Sequence, residues 1–306
     1  MQRSAPSPKH IGIVSRLAIY PVKGCARVEL ESASIGTRGV YGDREYMIVR
    51  EEVGPDGIHQ FITQRHKRRR EDSKPQSLAI LALIKPKIVG STLKLTWEGG
   101  DPMTIDRERG DGKVLGVSIH ADVVSAIDQG ESAADWLSEH LGLRVRLVKA
   151  SGPFRRTASQ RYMPNTNQIV FQDAYPVHWI MQESVDELSN LSGEKIQWTR
   201  FRPNLVGRGG EPQVEHEIHE VSIGRMRFIQ AKPCTRCPVT TVDQDKGEKS
   251  GNEPLISLSR YKRWERTGEA IFGENLLPLQ TGVIKVGDEI VELSARDPPL
   301  DYGKRP

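Results

Sequence analysis

The sequence predicts a mostly β protein with flanking helices, an α+β fold of two β-rich domains. Short segments rich in β-branched and aromatic residues alternate with Gly and Pro turns from about residue 12 to 120, and the pattern returns after residue 195. Two segments with helical spacing lie between these β regions. We therefore expect a flexible tail over 1–11, an N-terminal β domain over 12–130, a second β domain over 131–296 and a tail over 297–306.

The N-terminal β domain is predicted from segments of strand length that are bounded by turn residues. They lie at residues 13–22, 44–51, 59–65, 78–84 and 91–97. Two helices then follow from apolar residues spaced three and four apart, over 131–142 and 183–193. Each ends in a glycine, Gly142 or Gly193, which is a common residue at a helix C-terminus.

The second β domain is predicted from three further segments, at residues 197–207, 216–229 and 282–293. In the first, alternation places Arg200, Arg202 and Asn204 on one face of an extended chain. The last segment alternates on both sides of the tight Val286–Asp288 turn, as short hairpins and barrel corners do.

The composition is that of a soluble globular protein, with 37% hydrophobic residues, 27% charged residues and a net charge of +4 in 306 residues. No apolar run approaches the roughly 20 residues of a membrane helix, so we expect no membrane span. The first ten residues lack the apolar centre of a secretory signal, and their two prolines disfavour an amphipathic import helix. We therefore expect a cytoplasmic location.

One basic run, His66 to Arg70, stands out from the mild overall charge. It is typical of a solvated loop, and Arg68 to Arg70 could also dock an acidic protein partner. We expect no nucleic-acid partner, because no aromatic residues alternate with these charges to stack on bases.

The segment from Lys232 to Asp243 is the most unusual in the chain, because two of the three cysteines lie in it as Cys234-x-x-Cys237. Three cysteines give no disulfide framework, so a special cysteine is kept for its reactivity. A C-x-x-C pair is typical of a dithiol redox couple, of half a zinc site, or of one ligand cysteine beside a neighbour. Nearby Lys232 and Arg236 would favour the thiolate of Cys237 through their charges.

The sequence disfavours the first two interpretations without excluding them. A redox couple normally opens a helix, whereas Cys237 is followed by Pro, Val, Thr, Thr and Val, which favour an extended chain. A zinc site would need His216 and His219, which point to opposite faces if they lie on a strand. Asp243, Asp245 and Gly247 hint at calcium but lack the usual later acidic ligand, so a polar turn is favoured.

Five motifs, in order along nearly the full length, resemble the MOSC superfamily and its amidoxime-reducing members. They are Tyr20-Pro21-Val22-Lys23-Gly24-Cys25, Gly42-Asp43-Arg44, Phe201-Arg202-Pro203-Asn204, the stretch CTRCPVTTVDQDKG followed by Glu253-Pro254-Leu255, and the closing GVIKVGDEI. The resemblance implies a MOSC-associated N-terminal β-barrel-like domain followed by a MOSC β-barrel domain.

The resemblance also implies a molybdenum atom held by a molybdopterin cofactor, with Cys237 as both the metal ligand and the catalytic residue. A sulfur-rich molybdenum centre accepts one more soft thiolate and keeps positions open for oxygen-atom transfer. Cys234 is then a packing residue or a supporting neighbour of the ligand cysteine. By resemblance, the cofactor-binding residues are Lys23, Gly24, Arg44, Ser184, Arg202, Asn204 and Thr235, with Arg200 as an alternative arginine.

The reaction that the resemblance implies is two-electron reduction of an N-hydroxylated substrate, an amidoxime or a hydroxylamine. No haem, flavin or nicotinamide motif is found in the sequence, so electrons must come from another protein. By resemblance, the expected donors are a b-type haem cytochrome and its flavin reductase. We expect the protein to be a monomer. Gly24 departs from the family, which has a serine there. The alternative function is a molybdenum-cofactor carrier or sulfur-handling MOSC module without net turnover.

Overall fold

The structure is a computed structural model that describes residues 8–68, 76–150, 152, 154–163, 167–297 and 302–303. Within these ranges no helix combines the length and the apolar character that crossing a lipid bilayer demands. The helices are α1 (Glu131–Leu141), α2 (Gln182–Ser192) and α3 (Leu255–Tyr261), with 3-10 helices at Leu78–Leu83, Trp198–Phe201, Val214–His216 and Pro238–Thr241.

The strands of the first half are β1 (Lys9–Ile19), β2 (Val28–Leu30), β3 (Ser32–Gly36), β4 (Gly39–Val40), β5 (Tyr46–Val53), β6 (His59–Phe61), β7 (Lys67–Arg68), β8 (Gln76–Ser77), β9 (Lys85–Val89), β10 (Thr92–Thr96), β11 (Met103–Asp106), β12 (Val114–Ile119), β13 (Asp122–Asp128) and β14 (Val145–Lys149). Those of the second half are β15 (Val177–Met181), β16 (Leu205–Arg208), β17 (Ile218–Ile223), β18 (Met226–Thr235), β19 (Val242–Asp243), β20 (Glu248–Lys249), β21 (Arg263–Trp264), β22 (Ile271–Pro278), β23 (Gly282–Lys285), β24 (Glu289–Ala295) and β25 (Tyr302–Gly303).

A small closed barrel is formed by β12, β13, β14, β5 and β6 in that order. Side chains alternate between the two faces of each strand, so Val117 and Ile119, two residues apart on β12, lie on the same face, and both are buried. Met47 and Phe154 join them in one apolar cluster. Helix α1 adds Leu137 to a second cluster, so the barrel is covered on that side by the helix.

A larger sheet has the order β16-β15-β22-β18-β17-β24-β1-β2, and an additional pairing of β1 with β16 closes its first seven strands into a ring. Its core holds the largest buried side chains of this half, including Trp179 and Phe228. The prediction of a mostly β fold built from two barrels with flanking helices is confirmed.

The two barrels exchange elements along the chain. The first strand, β1, pairs with β24 and β16 of the larger sheet, whereas β14 closes the small barrel by pairing with β5 and β13. The division that the sequence suggests at residue 130 therefore separates α1 and β14 from the strands that they pack against.

Both helices with clear apolar spacing are confirmed. Helix α1 ends at Gly142, whose φ of 59° is left-handed, and α2 ends at Gly193 with a φ of 68°. Glycine adopts this conformation without the steric cost that other residues meet, which explains why each helix stops there.

Two predicted strands are 3-10 helices instead. Residues 78–83 form one, started by Ser77, whose hydroxyl accepts a hydrogen bond from the Ala79 N–H at 3.1 Å. Residues 198–201 form the other, and Arg202 after it is left-handed with a φ of 55°. The prediction that Arg200, Arg202 and Asn204 share one face of an extended segment is therefore wrong.

The closing segment turns at Val286–Asp288 but is a barrel corner rather than a hairpin. Strand β23 pairs with β3, whereas β24 pairs with β1 and β17. The Asp288 carboxylate accepts a hydrogen bond from the Lys285 N–H at 2.8 Å, and Gly287 has a φ of 91°. This local turn chemistry redirects the chain from one sheet to the next.

Candidate functional site

The cysteine segment lies where β18 leaves the larger barrel and a 3-10 helix begins. Cys237 precedes that helix with an extended backbone, and its carbonyl accepts hydrogen bonds from the Thr240 N–H and hydroxyl at 3.1 and 3.0 Å. All three cysteines are free thiols, and Cys237 is partly exposed. Its sulfur is therefore in neither a disulfide nor a buried apolar site.

The side chain of Arg236 contacts Cys234 and not Cys237. Nη1 of Arg236 lies 2.9 Å from Sγ of Cys234. Burial favours the neutral thiol, but the positive charges of Arg236, His178 and Lys232 outweigh it and lower the pKa of Cys234 to about 6. The prediction that Arg236 acts on Cys237 is thus corrected, and Cys234 is an ionisable neighbour instead of a packing residue.

Arg200 lies in the 3-10 helix Trp198–Phe201, Arg202 directly follows it, and Arg236 contacts it. We call these three residues the arginine cluster. Arg236 donates to the Phe201 carbonyl at 2.8 Å, and Arg200 donates to the Glu253 carbonyl at 3.1 Å. The Nε atoms of Arg200 and Arg236 are buried without a hydrogen-bond partner among the described residues. Unsatisfied buried donors of this kind are costly unless a ligand or water meets them.

Arg202 is a partly buried cation of this cluster, and among the described residues its guanidinium donates hydrogen bonds only to neutral groups. Its guanidinium donates to Oε1 of Gln244 at 2.9 Å and to the Cys25 carbonyl at 2.8 Å, and it lies 4.2 Å from the centroid of the Tyr20 ring. Burial lowers its pKa to about 10, which leaves it charged at neutral pH. Within the described part of the chain, no member of the cluster has a carboxylate as ion-pair partner, so its charge is uncompensated.

Arg44 also lies on the Tyr20 ring, but unlike Arg202 it is paired with a carboxylate. Its guanidinium is also 4.2 Å from the Tyr20 centroid and donates to the Arg202 carbonyl at 3.0 Å. Its Nη1, however, is 2.6 Å from the buried carboxylate of Asp43. The structure therefore brings Arg44 and Arg202 together, with only the first of them neutralised.

The Gly24–Cys25 turn completes this side of the site. Gly24 has a φ of 88°, and its carbonyl accepts from Nε2 of Gln64 at 2.7 Å. The same amide of Gln64 donates to Oε1 of Gln244 at 2.9 Å. Cys25 is fully buried, and burial raises its pKa to about 12, so it is a neutral packing residue.

Lys23 points to a different set of partners. Its ammonium donates to the Phe171 carbonyl at 2.8 Å and lies 2.5 Å from Oδ1 of Asp173, which is also 2.9 Å from Nε2 of His120. The side chain is nearly buried, and that burial lowers the pKa of Lys23. Lys23 is thus paired with a carboxylate, unlike the arginine cluster.

Asn204 and Ser184 bind neighbouring protein groups. The Asn204 side chain accepts from the His178 N–H at 3.1 Å and donates to the Ala18 carbonyl at 3.2 Å. The Ser184 hydroxyl donates to Oε2 of Glu215 at 2.9 Å and accepts from the Gln213 N–H at 2.7 Å. Neither side chain contacts another predicted site residue.

Thr235, the last residue of β18, pairs with Ile271 and directly follows Cys234. It therefore lies in the cysteine segment with Cys237, as its place in the sequence requires.

The alternative metal sites find no geometric support in the described residues. No group of three His, Cys, Asp or Glu side chains in them could hold a metal ion. Nδ1 of His216 is 2.7 Å from Oε1 of Glu274, and Asp243 caps a polar turn by accepting from the Asp245 N–H at 3.0 Å. Of the basic run, Arg69 and Arg70 lie outside the described residues.

The sequence analysis missed His178 and Gln244. His178 lies in β15 within the buried run VHWIM, and its Nε2 is buried without a hydrogen-bond partner in the described structure. A polar residue inside an apolar strand was the signal that could have identified it. Gln244 links the cysteine segment to Arg202 and Gln64, and nothing in the sequence indicated that contact.

A cavity of about 700 Å³ lies against the 3-10 helix that directly follows Cys237. It is lined by Pro238 and Thr241 of the 3-10 helix that begins after Cys237, and by Leu255 and Ile256 of α3. The volume is within the range of small-molecule sites, so the cysteine segment borders a space where a ligand fits.

Family comparisons agree with this architecture. Residues 11–144 match the MOSC N-terminal beta barrel domain, and residues 166–291 match the MOSC domain. The chain therefore belongs to the MOSC superfamily.

Within that superfamily the chain is similar to named proteins of two kinds. It is 27% identical to mouse mitochondrial amidoxime-reducing component 1, over 92% of this chain and 82% of that one, and 28% identical to the human protein, over 92% and 83%. It is also 24% identical to bovine molybdenum cofactor sulfurase over 92% of this chain, which corresponds to 32% of that longer protein. These relatives support a molybdenum-related role.

Proposed function

We propose that the chain is a molybdenum-cofactor-dependent reductase of N-hydroxylated compounds, such as amidoximes and hydroxylamines, and that Cys237 supplies the protein ligand to the metal. The observation that carries this proposal is a free, partly exposed thiol that directly follows Arg236, a member of an arginine cluster that has no carboxylate partner among the described residues. A thiolate suits the metal, and uncompensated cations suit an anionic cofactor. The mouse and human relatives are named as amidoxime-reducing components.

The residues present fit a cofactor that carries a phosphate. Arg202 is a partly buried cation held by neutral oxygens, and the Nε atoms of Arg200 and Arg236 are buried without a partner among the described residues. A planar guanidinium can donate two parallel hydrogen bonds to a phosphate. We assign Arg202 and Arg44 to the cofactor's anionic end, with Gly24 and Thr235 contributing backbone contacts.

Lys23, Asn204 and Ser184 take part less directly in this proposal. Lys23 is paired with the Asp173 carboxylate at 2.5 Å, so its charge is already balanced and it would contribute less to phosphate binding than Arg202. Asn204 holds the backbone of His178, whose side chain raises the positive charge around Cys234. Ser184 anchors the start of α2 through Glu215.

The bound molybdenum centre supplies two-electron chemistry that removes the N-bound oxygen as water. The chain itself positions the ligand thiol through the hydrogen bonds that Thr240 makes to the Cys237 carbonyl. Arg236 ties the cysteine segment to the Phe201 carbonyl, one residue before Arg202, so the metal ligand and the phosphate-binding cation are held by one network.

Electrons for the reaction come, in this proposal, from an external b-type haem cytochrome and its flavin reductase. The expected measurement is a reconstituted assay in which benzamidoxime reduction requires both donor proteins. A reduced viologen dye serves as a donor that bypasses them, so a defect in docking is separated from a defect in chemistry.

A second candidate function is a cofactor carrier or sulfur-handling module without turnover, which is favoured by the similarity to bovine molybdenum cofactor sulfurase. Such a protein would bind molybdenum and release it to an acceptor, but it would not reduce benzamidoxime with the dye. Turnover with the dye therefore distinguishes the reductase from the carrier.

The test is metal analysis and dye-driven activity of Cys237→Ser, with Cys234→Ser as the matched control. Because only Cys237 is the proposed ligand, we expect Cys237→Ser to lose at least about tenfold in molybdenum content together with its activity. Cys234→Ser retains the metal. Stoichiometric zinc in the wild type, or a full molybdenum content in Cys237→Ser, contradicts the proposal.

A further inference from the structure

The cavity lined by Pro238 and Thr241, directly after Cys237, has a positively charged lining. Lys249, Arg260 and Arg263 line it, and no acidic residue is found among the described residues that do so. Its volume of about 700 Å³ is that of a pocket for a small molecule. A ligand that enters it therefore meets three cations in a cavity that the residue after the proposed metal ligand also lines.

The partners of these cations satisfy their donors without neutralising their charge. Arg263 donates to the Ser259 carbonyl at 2.8 Å and to the Gly268 carbonyl at 2.9 Å, and Lys249 donates to the side chain of Asn252 at 2.8 Å. Such hydrogen bonds fix the side chains but leave their positive charge uncompensated.

The charge of Arg260, the third cation, is also uncompensated among the described residues. Arg260 is exposed and forms no ion pair with any described carboxylate. The carboxylate of Glu253 accepts from the Ser257 N–H at 3.1 Å, at the start of α3. Glu253 itself does not line the cavity.

The same cavity also has an apolar part. Helix α3 buries Leu258 in the core but leaves Ile256 40% and Tyr261 44% exposed, and both of these line the cavity. Exposed side chains of this size next to a pocket are typical of a surface that contacts an apolar ligand. Cations and apolar groups together match a molecule with a hydrophobic body and an anionic group.

We propose that this cavity binds the body of the substrate and favours N-hydroxylated compounds that carry a carboxylate on an aromatic or aliphatic frame. The inference rests on the proposed reductase function, because it places the N–O group on the side of Pro238, the lining residue that directly follows the proposed metal ligand Cys237. Arg260 is the specificity-determining residue that contacts the carboxylate.

The first test compares the reduction of benzamidoxime and 4-carboxybenzamidoxime by Arg260→Gln. A partly exposed ion pair contributes modestly, so we expect the KM for the carboxylated substrate to rise about fivefold while that for benzamidoxime is unchanged. The matched control is Arg225→Gln, which removes an exposed arginine in the turn between β17 and β18. Equal KM changes for both substrates in Arg260→Gln overturn the assignment.

A negative charge introduced into the apolar part of the cavity should raise the KM for the carboxylated substrate more than the loss of Arg260 does. Ile256→Glu places a carboxylate in the cavity, and we expect it to raise the KM for 4-carboxybenzamidoxime at least about tenfold through like-charge repulsion. Leu191→Glu is the control, because Leu191 is 42% exposed on α2 and does not line the cavity. If both variants bind the substrate alike, the cavity is not the binding site.

A binding measurement separates this inference from the reductase proposal. The probes are 4-carboxybenzamide and benzamide, which have no N–O bond to reduce, titrated into the full-length protein and followed by NMR shifts of Ile256 and Tyr261. Preferential binding of the carboxylated probe without any amidoxime reduction supports the cavity's ligand class and rejects the reductase. Amidoxime reduction without shifts at these residues supports the reductase and rejects the cavity.

Discussion

The Gly24–Cys25 turn and the Cys234–Cys237 segment both carry cysteines, yet their surroundings give the thiols opposite properties. Cys25 is fully buried among apolar side chains, which raises its pKa to about 12. Cys234 is also shielded, but Arg236 at 2.9 Å and two further positive groups lower its pKa to about 6. The comparison shows that charge, and not burial alone, determines which thiol ionises.

The same contrast extends to the charges around each region. Arg44, which lies on the Tyr20 ring near the turn, is neutralised by Asp43 at 2.6 Å. The arginine cluster around the cysteine segment has no such partner among the described residues, and two of its Nε atoms are unsatisfied. Uncompensated cations favour the binding of an anion, so we expect Arg202 to contribute more to cofactor binding than Arg44, whose charge is balanced by Asp43.

The largest expected effect is on alkylation. At pH 7.5 we expect iodoacetamide to modify Cys234 at least about 10³ times faster than Cys25, because the thiolate is the nucleophile and Cys25 is neutral and buried. Peptide mass spectrometry of timed samples measures both rates. In urea the two rates should converge. Comparable rates in the folded protein would show that the two thiols do not differ as the structure indicates.

A second experiment tests whether Arg236 causes the difference. Arg236→Gln removes the charge next to Cys234, so the pKa of that thiol should rise by about one unit or more, and the midpoint of its alkylation profile should move to higher pH by the same amount. Arg236→Lys should restore part of the shift. Arg225→Gln, distant in the fold, should leave the midpoint where it is in the wild type. An unchanged midpoint in Arg236→Gln assigns the low pKa to another group.

Local signals predicted helices α1 and α2 well. Apolar spacing and a terminal glycine located α1 and α2 to within a residue at each end, because both signals act within a few residues of the chain. The run at 78–84 was misassigned, since a short apolar stretch fits a buried strand and a 3-10 helix equally. The motif around Cys237 was identified by its similarity to a family, not by its periodicity.

Long-range contacts could not be predicted from one sequence. Strand β1 closes the larger barrel through β16, almost 200 positions later in the chain, and no local pattern specifies that partner. The contact between Arg236 and Cys234 depends on how β18 ends, and the left-handed Arg202 depends on the preceding 3-10 helix. These details decide which thiol is ionised and which arginine remains without a carboxylate.

The smallest expected effect concerns Gly24, the position where the resemblance to the family implies a serine. Gly24 has a φ of 88°, and an added Cβ would meet only Leu81, at 3.4 Å, so the backbone conformation rather than space opposes a side chain. We expect Gly24→Ser to lower the free energy of unfolding by about 1 kcal/mol, measured by urea denaturation. Gly110→Ser is the control, because Gly110 is exposed and not left-handed, and it should change stability by less than about 0.5 kcal/mol. If Gly24→Ser is as stable as this control, the turn tolerates a serine and is not fixed by backbone strain. Its hydroxyl could then be added beside Arg202 without disturbing the packing of Cys25.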